Sequence, residues 1–156
     1  MSAVKIAVLG AKSKAIDLLA KEFPVTPLDG ASASEPIGLV ADGASAAKAL
    51  AHVVAKPETV NALALIAPPV LEQKLIDTLS AVTIPVLALF GTRDAQAQAS
   101  GAAYRKALSN CNVTFVYDTS GDMANERPEA VAAALGEFVR QRERYVVTDR
   151  DTRLFP

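Results

Sequence analysis

Residues 39–69, LVADGASAAKALAHVVAKPETVNALALIAPP, decide the fold. An apolar run, Ile37 to Ala41, enters the tight small-residue turn Asp42-Gly43-Ala44-Ser45. An alanine-rich stretch to about Ala55 has helical character and ends at Lys56-Pro57-Glu58, after which Leu63 to Ala67 is apolar again. Strand, abrupt turn, helix and strand form a βαβ unit, whose crossover makes the two strands parallel. The turn is where a strand-to-helix nucleophile would sit, and the residue there is Gly43.

The same alternation continues on both sides. Val4 to Leu9 is an apolar run broken only by Lys5 and reads as a buried parallel strand. Ala11 to Phe23 places Ala15, Ile16, Leu18, Leu19 and Phe23 at helical spacing. Val25 to Asp29 is a short strand whose Pro27 confines it to the sheet margin. Beyond the central unit, Val70 to Val82 reads as a helix and Ile84 to Phe90 as the most hydrophobic strand. Gln98 to Leu108 is a helix, Val113 to Tyr117 a β-branched and aromatic strand, and Glu126 to about Arg142 the last helix. Pro128 near its start costs nothing, because its missing N–H has no partner there. The pattern predicts an α/β protein, a three-layer αβα sandwich around a parallel sheet of about six strands. Residues 1–144 read as one domain and 145–156 as a C-terminal tail, either a frayed end or an arm that docks on a neighbouring subunit.

Composition narrows the function classes. In 156 residues the net charge is −1 and half the residues are apolar, with no basic patch for nucleic acid. A single cysteine excludes a disulfide framework and suits a reducing compartment. The N-terminal VKIAVL lacks the basic lead and cleavage site of a signal peptide, and no apolar run approaches the ~20 residues that span a bilayer. The expectation is a cytoplasmic protein that contacts neither membrane nor nucleic acid.

In a parallel sheet ligands bind outside the carboxyl ends of the strands. The residues there are Gly10-Ala11-Lys12, Asp29, Asp42-Gly43-Ala44, Pro68-Pro69, Thr92-Arg93-Asp94 and Thr119-Ser120-Gly121-Asp122. With these positions aligned, the chain resembles the α/β-hydrolase fold superfamily stripped to its parallel core. Residues 39–60 follow the superfamily's nucleophile elbow, G-x-S-x-G, with its small-residue helix and P-E-x-V exit, here Pro57-Glu58-Thr59-Val60. Ile84 to Asp94 is similar to the acid strand, and Ser120-Gly121-Asp122-Met123 with Glu126 to Val131 is similar to the G-H motif and last helix. Val8-Leu9-Gly10-Ala11 sits where the superfamily has H-G and its first oxyanion-hole amide.

The departures bear on function. The resemblance puts the nucleophile at Gly43, the catalytic histidine at Asp122 and the H-G histidine at Leu9. One short helix stands where members insert a lid, and only Asp94 keeps its triad residue. Acyl transfer by a triad needs a hydroxyl, a base and an acid that orients the base. No catalytic residue is therefore expected, and the vestigial positions are Gly43, Asp94 and Asp122. Gly10, Ala11, Lys12, Asp42, Gly43, Ala44, Asp94 and Asp122 are expected to bind a small molecule, or the edge a protein partner, with a homodimer one way to cover it. The alternative is a residual serine esterase using Ser45, read in the shifted register Gly43-Ala44-Ser45-Ala46-Ala47, with Asp94 or Asp122; Ser45 or Asp42 as a helix cap is the simpler role.

Other residues carry less. His52, the sole histidine, lies two helical turns beyond Ser45, about 10 Å along the axis. Cys111 falls at the amino end of its strand and reads as a small buried hydrophobe. Asp29, Asp42, Asp94 and Asp122 match no metal-loop spacing, and Gly10 to Lys14 matches no nucleotide-binding motif. No metal and no cofactor are expected.

Overall fold

The computed structural model describes residues 5–10, 12–28 and 36–142. Among the described residues there are six strands: β1 (Ile6–Leu9), β2 (Val25–Pro27), β3 (Ile37–Asp42), β4 (Val60–Ile66), β5 (Val86–Gly91) and β6 (Cys111–Val116). They form one parallel sheet in the order β2-β1-β3-β4-β5-β6. The helices are α1 (Lys14–Leu19), α2 (Ala46–Ala55), α3 (Gln73–Ile76), α4 (Ala97–Ala107), α5 (Met123–Glu126) and α6 (Pro128–Gln141).

Period-two alternation divides the core between the two sheet faces. Ile6, Val40, Ala62, Ala64, Leu87 and Leu89 pack under α1 and α6 with Leu19, Val131, Leu135 and Phe138. Ala7, Leu39, Ala41, Leu63, Leu65, Ala88 and Phe90 pack under α2 and α4 with Leu50, Val53 and Tyr104. The chain steps outward from β1 to β2, then from β3 in the other direction, so right-handed crossovers put α1 and α2 on opposite faces. The order reverses between β1 and β3, and their carboxyl ends diverge there to leave a crevice.

Several elements differ from their sequence expectation. Residues 70–82 do not form one helix: α3 has four residues, and a 3₁₀ turn follows at Leu79–Ala81. Thr78 bonds its hydroxyl back to the Leu75 carbonyl at 2.7 Å, one of the local bonds by which threonine competes with the helix. Ser13 caps α1 by accepting from the Ile16 N–H at 3.2 Å, so that helix starts at Lys14 and runs only to Leu19. The last helix begins at Pro128, because Arg127 before it takes a non-helical conformation (φ −134°, ψ 67°). The residues ahead of it form the short α5, which periodicity did not disclose. β4 and β6 start earlier than expected, at Val60 and Cys111. Pro27 lies on β2, an outer strand of the sheet. Ala11, Asp29 and the tail 145–156 lie outside the described residues.

Candidate functional site at the carboxyl edge of the sheet

A cleft of about 290 Å³ opens where the strand order reverses. Val8 and Leu9 of β1, Val40 and Asp42 of β3, and Ile66 of β4 bring apolar and acidic groups to it. Gly43 and Ala44 line it from the turn after β3, Lys12 and Ser13 from the segment before α1, Gly121 and Asp122 from the loop after β6, and Asn125 from α5. Gly43 and Asp122 thus share one cavity, while Asp94 is not among its lining residues. The Asp94 carboxylate accepts instead from the Gln96 N–H at 3.0 Å, closing a turn within its own loop.

The elbow itself is filled by main chain. Gly43 opens a 3₁₀ turn, Gly43–Ser45, which the Asp42 carboxylate caps by accepting from the Ser45 N–H at 3.0 Å. A Cβ on Gly43 would overlap the carbonyl oxygen of Ala67 and lie 3.3 Å from that of Ile66. The positive φ that this region requires falls elsewhere, on Ala67 (+51°) and Gly10 (+119°). Gly43 itself does not have a positive φ, so the left-handed backbone here lies at Ala67, after the end of β4, and at Gly10. Gly10 lies against the Asp42 carboxylate, a side-chain neighbour that can shift, so its positive φ of +119° is what favours glycine there.

Ser45 donates its backbone N–H to the cap and is not part of the cleft lining. The His52 ring lies with Nε2 3.4 Å from the Thr59 hydroxyl, at the carboxyl end of α2 and away from Ser45. Asp122 accepts from the Asn125 side-chain amide at 2.9 Å, and Asn125 Oδ1 in turn accepts from the Lys14 N–H at 3.0 Å. This pair latches the β6–α6 connection onto the start of α1 and so walls the cleft. Among the described residues no group of His, Cys, Asp and Glu is placed to hold a metal ion.

Sequence reasoning missed the polar network that braces the neighbouring loops. Arg93 Nε meets the Asp118 carboxylate at 2.9 Å and Arg93 Nη2 meets Glu126 at 2.9 Å. The second Glu126 oxygen accepts from both the N–H and the hydroxyl of Ser120 at 2.8 Å. These bonds, the Ser120 N–H first among them and the Arg93 guanidinium last, hold the Glu126 carboxyl below the usual carboxylate range. The signal available in sequence was an arginine two residues after one strand and two separated acidic residues after the next, which is too common to single out.

Solved structures share this arrangement of sheet and helices. A predicted CIB-like hydrolase from Thermoplasma acidophilum matches with a TM-score of 0.71 and 13% identity, over 88% of this chain and 86% of that one. MGS-MChE2, an alpha/beta hydrolase enzyme from the metagenome of lagoon sediments at Mar Chica, Morocco, matches with a TM-score of 0.72 and 14% identity, over 89% and 91%. The fold is that of the α/β hydrolases. Carboxylesterase CesB from Bacillus subtilis is a further α/β-hydrolase-fold neighbour, at a TM-score of 0.69 and 13% identity over 88% and 84%. No family model and no curated protein sequence matches the chain. The α/β-hydrolase fold leaves the activity open, because function resides in the site.

Proposed function

We propose that this α/β-hydrolase-fold chain is catalytically degenerate and binds a small polar molecule in the cleft between β1 and β3. The observation that carries the reading is the Ala67 carbonyl in the space where a Gly43 side chain would start. The supporting chemistry is a cleft lined by one amine, Lys12, two carboxylates, Asp42 and Asp122, and the amide of Asn125, over an apolar floor. Such a surface orients a ligand by a few polar contacts while burying its body. His52 is turned towards Thr59, which leaves Ser45 without an imidazole base.

The test is labelling with a fluorophosphonate probe and turnover of short p-nitrophenyl esters by wild type and Ser45→Ala. Neither protein should react. Labelling of wild type that disappears in Ser45→Ala would establish the alternative, a residual esterase using Ser45.

A protein partner at the same edge is the second reading. Val70 and Tyr117, 55% and 52% exposed, follow the ends of β4 and β6 and flank the carboxyl edge. A second copy covering it would make a homodimer, and Val70→Ser with Tyr117→Ser would return the protein to monomer in analytical ultracentrifugation. No helix among the described residues is long and apolar enough to cross a membrane; a cytoplasmic setting remains part of the proposal.

A further inference from the structure

A second cleft, also about 290 Å³, lies at the opposite edge of the sheet, where β5 and β6 begin. Arg105 from the last turn of α4 and Arg142, the residue after α6, line it together with Asn110, Cys111, Asn112 and Phe138. No aspartate or glutamate is among its described lining residues. We propose that this cleft binds a small oxyanion, a phosphate- or carboxylate-bearing molecule gripped by the two guanidinium groups. The proposal goes beyond the carboxyl-edge site and does not depend on it.

The distribution of arginine partners carries the inference. Arg93 pairs with Asp118 and Glu126, Arg140 pairs with Glu22 at 3.0 Å, and Arg127 donates to the Tyr117 carbonyl at 3.0 Å. Arg105 and Arg142 form no ion pair with a described residue, and both line the same cleft. The carboxyl ends of α4 and α6 do bring partial negative charge to this edge, which a last-turn cation offsets. Lys106 and Arg140 already stand in those last turns. The further two guanidiniums therefore exceed what the helix ends call for, and the planar fork of arginine suits an anion with two acceptor oxygens.

Two details fit a ligand. Asn112 Oδ1 is engaged by the Thr114 hydroxyl at 3.3 Å, which leaves its amide N–H groups as donors. Arg142 also holds φ +51° with ψ −113°, a backbone region that side-chain-bearing residues rarely adopt. An arginine kept at such a position is strained, and strain of this kind concentrates at ligand sites.

The experiment is titration of the full chain with inorganic phosphate and, separately, citrate, followed by calorimetry and by backbone amide shifts at residues 110–113. One of the two anions should bind, which separates the phosphate from the carboxylate source. Arg105→Gln or Arg142→Gln should each weaken it about tenfold, the loss of one charge-assisted pair. Lys106→Gln, a neighbouring cation outside the cleft lining, should leave the affinity unchanged. A bound anion should also slow alkylation of the Cys111 thiol. Equal losses in Lys106→Gln and Arg105→Gln would reduce the effect to net charge and overturn the proposal. A full-length variant with Glu143→Gln, Asp149→Asn and Asp151→Asn covers the remaining case: binding by that variant alone would make the cleft a seat for the chain's own carboxylates. That result, or no binding by either protein, also overturns it.

Discussion

The carbonyl oxygen of Ala67 occupies the space that a side chain on Gly43 would need. Two residues at adjacent strand ends thereby exclude each other's alternatives. Glycine at 43 lets the end of β4 close on β3, and the closed end of β4 admits only glycine. The absence of a side chain at this turn is thus a matter of backbone packing as well as of residue identity.

Gly43→Ser should therefore fail to restore a hydrolase. The new Cβ forces main chain apart, an overpacking that costs about 1–3 kcal/mol, so the urea midpoint should fall. The variant should remain unlabelled by a fluorophosphonate. Esterase activity in Gly43→Ser would show instead that the β4 exit opens readily.

Acid should loosen the loops after β5 and β6. The Glu126 carboxyl lies below its ordinary value, held there by Ser120 and Arg93, so folding favours its ionised form. That contribution is complete above the unfolded value of about 4.3 and is lost as pH falls through the lower folded value. Urea midpoints measured from pH 6 down to pH 3 should drop more steeply for wild type than for Glu126→Gln. Parallel curves would deny Glu126 this role.

The Cys111 thiol should be slow to react at pH 8. Burial pushes it up to about 11, with Arg105 pulling weakly the other way. Its neutral form is favoured by folding, so the associated stability is present below the unfolded value of about 8.5 and fades as pH rises towards 11. Reaction with iodoacetamide followed against pH should show its midpoint near that upper value, and near the lower one after unfolding in urea.

Asn125→Ala should free the start of α1. The side chain bridges Asp122 to the Lys14 N–H at 3.0 Å, and an exposed cap of this kind is worth about 0.5–1 kcal/mol. Hydrogen exchange at the Lys14 amide should accelerate several-fold while the β5 amides stay protected. Unchanged exchange at Lys14 would mean that the latch is not held in solution.

The strands and the fold were legible because local pattern carries them. Apolar runs such as Val86 to Phe90, bounded by Pro85 and Gly91, specify strands buried on both faces whatever surrounds them, and helical crossovers between successive strands leave little choice but a parallel sheet. Gly43 after β3 and Asp122 after β6 were equally visible as residues at the carboxyl edge, since residue identity needs no coordinates. What packs against Gly43 was not visible. The Ala67 carbonyl reaches Gly43 from a strand that lies beyond a whole helix in sequence, and Arg93 meets Glu126 across 33 positions. The same holds for Arg105 and Arg142, which share a cleft only because α4 and α6 end at one edge of the sheet. Hydrophobic periodicity is a local property and determined the layers by itself. Close approach between distant backbone atoms and the pairing of distant charges depend on how those layers pack, and only the tertiary structure decided them.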